Sequence, residues 1–255
     1  MRYLAFSGHR KGHGVHSPFA FDVVSGFFRN KIDDEVVKSI RRLRREMKND
    51  KRVINVHDLG AGAIKEGKNV YSRKVSDIAY SSSTPEKYGF LLAQMASKFG
   101  KPYIIELGSS VGISALYMAL SSPKLEVHTI EGCPETAGIA QENFKKAGAS
   151  NVKLHVGSFD EILPDIMKKN EAPGVVFIDG NHRKEPLLEY FKLVSDCANN
   201  DTAVIIDDIY LSPEMSEAWQ EIKKQPEVSL TIDLYRMGMV FFRKGINNNH
   251  FVVRY

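Results

Sequence analysis

At 255 residues, with 43% hydrophobic and 26% charged residues, the chain can bury a sizeable core and is neither a fibre nor a disordered segment. The net charge of +4 suits an acidic or phosphorylated partner without demanding one. Much of that charge lies in Lys38–Arg52, and no aromatic residue interleaves with it, so a solvated helix face is read there rather than a nucleic-acid patch.

Cys133 and Cys197 stand far apart, which argues against a disulfide framework and for a reducing compartment. The first residues, M-R-Y-L-A-F-S-G-H-R, hold no apolar core of signal-peptide length. No run approaches the roughly 18 apolar residues of a membrane span. The expectation is a cytoplasmic protein without a membrane segment.

In chain order, residues 1–30 form a basic, glycine-spaced loop with His9, His13 and His16. It is expected to dock through Phe19, Phe21, Phe27 and Phe28 or to bind an anionic group; the histidine spacing is weak evidence for a metal. Asp33–Asn49 reads as a helix with an Asp cap and an apolar stripe of Val36, Val37, Ile40 and Leu43. Asp58-Leu59-Gly60-Ala61-Gly62 imitates a nucleotide-binding turn, but no apolar helical pattern follows it, so it is read as an ordered loop or lid. Thr84 is expected to cap a helix that begins with Pro85 and runs to about Lys98. Residues 1–83 are thus taken as an N-terminal extension, 84–246 as the main domain and 247–255 as a tail.

Strands and helices then alternate. Strands are expected at Tyr103–Leu107, Glu126–Ile130, Val152–Val156, Gly174–Ile178 and Ala203–Ile206. The helices between and after them are Gly112–Leu120, Pro134–Ala147, Asp160–Lys168, Lys184–Ala198 and Pro213–Lys223. Five such units imply a parallel sheet covered on both faces. Leu230–Leu234 and Met239–Phe242 are joined by only Y-R-M-G, too short for a parallel crossover, so they pair antiparallel. The fold expected is α/β: a doubly wound, seven-stranded, mostly parallel sheet with a C-terminal antiparallel hairpin and an N-terminal helical extension.

The first ligand feature is I-I-E-L-G-S-S-V-G-I-S-A-L, a strand, a turn with Gly108 and Gly112, and a helix. A pyrophosphate-binding turn wants glycine where Ser110 stands. A ligand without pyrophosphate tolerates that side chain, and S-adenosylmethionine is one. Glu131 ends the next strand, 19 residues after Gly112, where an acid can hold both ribose hydroxyls; otherwise it is an exposed acid before the next helix. Gly157-Ser158-Phe159-Asp160 can hold adenine, or Ser158 can simply cap a helix.

Asp179, Asp207 and Asp208 end the fourth and fifth strands. Three convergent carboxylates would need protons or a hard cation such as magnesium, calcium or manganese; alternatively each caps a helix or a loop. His182, three residues beyond Asp179, is a candidate general base because an imidazole changes charge near neutrality.

Over about Thr84–Phe242 these motifs, with H-T-I-E-G, V-G-S-F-D-E-I-L-P, V-F-I-D-G-N-H and V-I-I-D-D-I, resemble class I S-adenosylmethionine-dependent methyltransferases. Within them the chain is similar to the metal-dependent O-methyltransferases of the catechol and caffeoyl-coenzyme A type. The resemblance implies that Glu106, Gly108, Ser110 and Gly112 line the methionine end of the cofactor, Glu131 holds the ribose, and Ser158 lies near the adenine. It also makes Asp179, Asp207 and Asp208 the metal positions, with Asp179 counted as a cofactor contact and catalytic residue beside His182. The family usually carries Asn at the position of Asp208 and Lys at that of His182, and it is often dimeric. The function expected is methyl transfer to a hydroxyl of a small acceptor, phenols among the candidates, assisted by Mg2+ or another hard divalent cation. The alternatives are metal-independent transfer to an amine, sugar or macromolecule, or a non-catalytic protein of the same fold.

Overall fold

The structure, a computed structural model, describes residues 17–29, 31–57, 70–169, 171–246 and 248–255. The histidines at 9, 13 and 16 and the turn at 58–62 lie outside these residues.

The chain opens with α1 (Pro18–Arg29) and α2 (Asp34–Lys48). Residues 18–29 are a helix rather than the expected loop. Phe19 does dock, edge-on to Phe99 and Phe241 with ring centroids 6.0 and 5.2 Å away, whereas Phe21 is exposed. Asp33 caps α2 by accepting from the Glu35 N–H at 2.8 Å. Val37, Ile40, Leu43 and Met47 form its buried stripe. Its charged face is solvated and tied to neighbours, as where Arg41 grips Glu86 at 2.6 Å.

Next come β1 (Val53–His57), β2 (Val70–Lys74), α3 (Val75–Ser81) and α4 (Glu86–Phe99). β1 and β2 pair antiparallel as a separate two-stranded sheet. α4 starts one residue later than the Thr84 cap implies, with Pro85 in the capping position.

The main sheet begins at β3 (Tyr103–Leu107), followed by α5 (Ile113–Ser121), β4 (Glu126–Glu131), α6 (Pro134–Ala147) and β5 (Val152–Val156). Then come α7 (Phe159–Lys169), β6 (Val175–Ile178), α8 (Lys184–Ser195), β7 (Ala203–Ile206) and α9 (Pro213–Ile222). The last strands are β8 (Leu230–Asp233), β9 (Gly238–Phe241) and β10 (Asn249–Val252).

The strand order is β10-β8-β9-β7-β6-β3-β4-β5. β9 runs antiparallel between β7 and β8, as the short Y-R-M-G link requires. Among the described residues the sheet has eight strands rather than seven, because residues expected to form a tail supply β10, which pairs parallel with β8.

Central strands are buried on both faces, so consecutive residues feed opposite cores. Ile104, Phe177 and Ile205 pack with α1–α6, while Ile105, Val176 and Ile206 pack with α7–α9 around Trp219. The order reverses at β3, with β4 on one side and β6 on the other. That switch point opens a crevice at the carboxyl ends of the strands. No helix among the described residues is long and apolar enough to cross a membrane.

Candidate active site

A cavity of about 380 Å³ lies over that switch point. Its floor is the turn after β3. Gly108 has φ 99°, and a Cβ there would come within 2.2 Å of the Asp179 carbonyl, so only glycine lets the two strand ends meet. Gly112, with φ 86°, has no room for a side chain against Phe144. It shapes the start of α5 and is not among the cavity-lining residues, whereas Gly108, Ser110, Val111 and Ser114 are.

Ser110, Asn181 and Asp208 all line the cavity and all hold positive φ, between 46° and 52°, without being glycine. Such backbone costs of order 1–3 kcal/mol each, and its concentration here marks the cavity as a built site. At Ser110 the gain is visible. Its N–H donates to Glu131 Oε2 at 2.8 Å, while the Cys133 N–H donates to Oε1 at 2.9 Å. Glu131 therefore stands at the cavity wall as an oriented carboxylate.

Glu106 is not on the wall. It is fully buried behind the turn and reached through Ser109 and Thr129, whose hydroxyls bond to each other, Thr129 donating to Glu106 Oε2. Burial pushes its pKa up to about 7, with Ser114 and Thr129 beside it pulling the other way. Oε1 is enclosed without a hydrogen-bond partner.

Ser158 and Phe159 also line the cavity, following β5, whose end bonds to the end of β4 through the Gly157 N–H and the Glu131 carbonyl at 3.0 Å. Ser158 also caps α7, accepting from the Glu161 N–H at 3.3 Å. The Phe159 ring packs edge-on to Tyr190 at 5.7 Å and closes over Gly180. The remaining wall is the β1–β2 hairpin, through Val56, His57, Tyr71 and Arg73. That hairpin is held to the start of α6, where the Asn55 N–H donates to Glu135 Oε2 at 2.9 Å and the His57 N–H to Cys133 Sγ at 3.3 Å.

At the other end Asp179, His182 and Asp208 line the cavity together. His182 Nε2 lies 3.8 Å from Asp179 Oδ1. Burial, then Asp207 and Asp208, push the Asp179 carboxyl well above the usual carboxylate range, and Arg236 opposes them. Asp208 is raised for the same reasons, with Arg236 and His182 opposing.

Asp207 does not join them at the wall. It is fully buried and clamped by Arg236, with Nε 3.0 Å from Oδ1 and Nη2 2.8 Å from Oδ2. The guanidinium also lies 3.7 Å from Asp208 Oδ1. The three acids expected to ligate one ion therefore do not present an open ligand set, and among the described residues no cluster of three His, Cys, Asp or Glu could hold a metal. The sequence gives no local signal for Arg236, which sits in a four-residue strand link 29 positions from Asp207. Tyr190, which bonds Asn181, and Arg73 were missed likewise.

The cavity suits S-adenosylmethionine. Its volume fits a ligand of that size and Glu131 offers an oriented carboxylate.

Residues 105–209 match the family model described as a methyltransferase domain. A catechol O-methyltransferase from Niastella koreensis is 32% identical over 126 residues, 48% of this chain and 55% of that protein. O-methyltransferase imqG from Aspergillus flavus is 28% identical over 147 residues, 55% of this chain and 57% of that protein. The chain thus spans little more than half the length of these curated relatives. Among solved structures, the O-methyltransferase from Bacillus cereus in complex with SAH aligns with TM-score 0.57 at 18% identity, covering 86% of this chain and 96% of that one. An O-methyltransferase of tomaymycin synthesis from Streptomyces achromogenes, in complex with SAM, aligns with TM-score 0.57 at 19% identity, covering 88% and 96%. Residues 105–209 thus match a methyltransferase domain model, and the chain shares the fold of these O-methyltransferase structures.

Proposed function

We propose that the protein transfers a methyl group from S-adenosylmethionine to a hydroxyl of a small acceptor. The observation that carries this reading is one continuous cavity with the oriented Glu131 carboxylate at one end and the Asp179–His182 pair at the other. S-adenosylmethionine would supply a sulfonium methyl, its sulfur keeping both electrons of the broken carbon–sulfur bond as the acceptor oxygen takes the carbon. Glu131 would hold the ribose hydroxyls, with Ser158 and Phe159 beside the adenine. Gly108, Ser110 and the buried Glu106 would shape the methionine end. His182 would take the acceptor proton, with its Nε2 positioned 3.8 Å from Asp179 Oδ1 at the cavity wall. Alignment of the two reactants accounts for most of the rate. The divalent ion implied by the sequence has no part in this reading, because Arg236 already occupies Asp207.

Isothermal titration of the full chain with S-adenosylmethionine tests the cofactor, with Glu131→Ala as control. Heat from the wild type that is lost in the variant is expected. No heat at any attainable concentration would sink the reading.

A further inference from the structure

The acidic end of the cavity already contains a cation. Arg236 Nε and Nη2 grip the two oxygens of Asp207, and the same guanidinium stands 3.7 Å from Asp208. Beneath it lies the Tyr88 ring, 5.7 Å from the guanidinium carbon to the centroid. Asp207 and Tyr88 therefore fix the position of this charge, and Asp208 reinforces it, although the side chain is still 33% exposed at the cavity. Nη1 makes no hydrogen bond among the described residues, and Arg236 lines the cavity.

We propose that Arg236 is a built-in cation: it takes the place of a divalent ion and presents Nη1 as the donor that anchors the acceptor oxygen.

The inference rests on the methyl-transfer reading for its acceptor half only. A hard divalent ion needs carboxylate oxygens within about 2.0–2.6 Å. Both oxygens of Asp207 are already bonded to nitrogen, and Asp207 is completely buried. An ion entering there would have to displace a buried pair and then lie beside a guanidinium that carries its charge at every working pH. The chemistry changes accordingly. A single delocalised positive charge donating one hydrogen bond acidifies a bound hydroxyl less than a divalent Lewis acid does. The acceptor class that fits is therefore a small molecule with an already acidic hydroxyl, such as a phenol bearing an electron-withdrawing group. Its oxygen takes the Nη1 hydrogen bond, its proton goes to His182, and its lone pair forms the new carbon–oxygen bond.

Two arms test this on the full chain. In the first, Mn2+ is titrated and followed by electron paramagnetic resonance. Wild type is expected to leave the ion free, and Arg236→Ala, which releases Asp207, is expected to bind it. Stoichiometric binding by the wild type that disappears in Asp207→Ala would overturn the proposal. Arg236→Lys, which keeps the charge but loses the two-pronged grip, guards against a variant that fails to fold and is expected to leave the ion free. In the second arm, 4-nitrophenol and phenol are offered with S-adenosylmethionine. Methylation of 4-nitrophenol at least tenfold faster than phenol, unchanged by millimolar EDTA, is expected. A tenfold loss in EDTA restored by Mg2+ would overturn the proposal. If neither phenol is methylated, the acceptor half fails with the reading beneath it, and the Mn2+ arm still decides the cation half.

Discussion

Glu131 and Asp207 invite comparison. Each is an acid at the carboxyl end of a central strand, and each has both oxygens engaged. Glu131 is held by two backbone N–H groups, from Ser110 and Cys133. Asp207 is held by one side chain, Arg236, 29 positions away. Backbone amides orient a carboxylate without cancelling its charge, so Ser110 and Cys133 give Glu131 a fixed direction at the wall. A guanidinium cancels the charge it holds, so Asp207 becomes a support for Arg236 and the charge presented to the cavity is the cation.

The comparison can be broken at its strongest point first. Asp207→Ala strands Arg236 beside Asp208 alone. It is expected to lower unfolding stability by about 3 kcal/mol, the lower end for a broken buried ion pair because Arg236 is partly solvated. Urea unfolding measures this, and a loss below about 1 kcal/mol would mean the pair is not a support.

The buried carboxyl behind the Glu131 side gives the next effect. Glu106 has a folded pKa of about 7 against an ordinary 4.5. Between those values the folded chain keeps a proton that the unfolded chain has released. Stability is therefore full below pH 4.5 and falls as pH rises to 7, by about 3 kcal/mol at most. Unfolding midpoints across that window should slope downward in the wild type and lose that component in Glu106→Gln.

Gly108→Ala forces a Cβ to within 2.2 Å of the Asp179 carbonyl at a φ of 99°. It should cost about 2 kcal/mol and disturb both ends of the cavity together. If only S-adenosylmethionine affinity changes, the turn and Asp179 are less closely joined than the geometry says. The mildest test is Glu131→Gln, which keeps the shape and removes the charge. It should weaken S-adenosylmethionine about tenfold, or about 1.4 kcal/mol, in titration calorimetry, with little change in stability.

What could be read in the sequence follows from the same contrast. The β3 turn, Glu131 and the alternation from Tyr103 to Ile222 are local patterns: apolar runs, glycines where sterics demand them, and an acid at a strand end. Arg236 was illegible because nothing beside it in the chain shows that β9 inserts next to β7 and brings the link to Asp207. Both the β1–β2 hairpin and β10 were missed for a different reason. Each is short and has no run of fully buried positions, so neither gives the apolar run of a central strand. In α1, the adjoining glycine- and histidine-rich residues hid a short apolar helix. At 179, 207 and 208 the residues were found and the grouping was not, since spacing shows three acids converging but not which one faces inward.

β10 leads the chain back to α4. Past this strand, the Tyr255 hydroxyl donates to the Lys87 carbonyl at 2.8 Å, and its ring leans on Tyr88 at 5.7 Å. Tyr88 is the ring beneath Arg236. Handling of the polypeptide at that end therefore reaches the chemistry. Replacing or displacing Tyr255 would loosen the aromatic stack under the guanidinium. Such a protein would stay folded and bind S-adenosylmethionine while losing activity in proportion to the molecules in which Tyr255 is displaced.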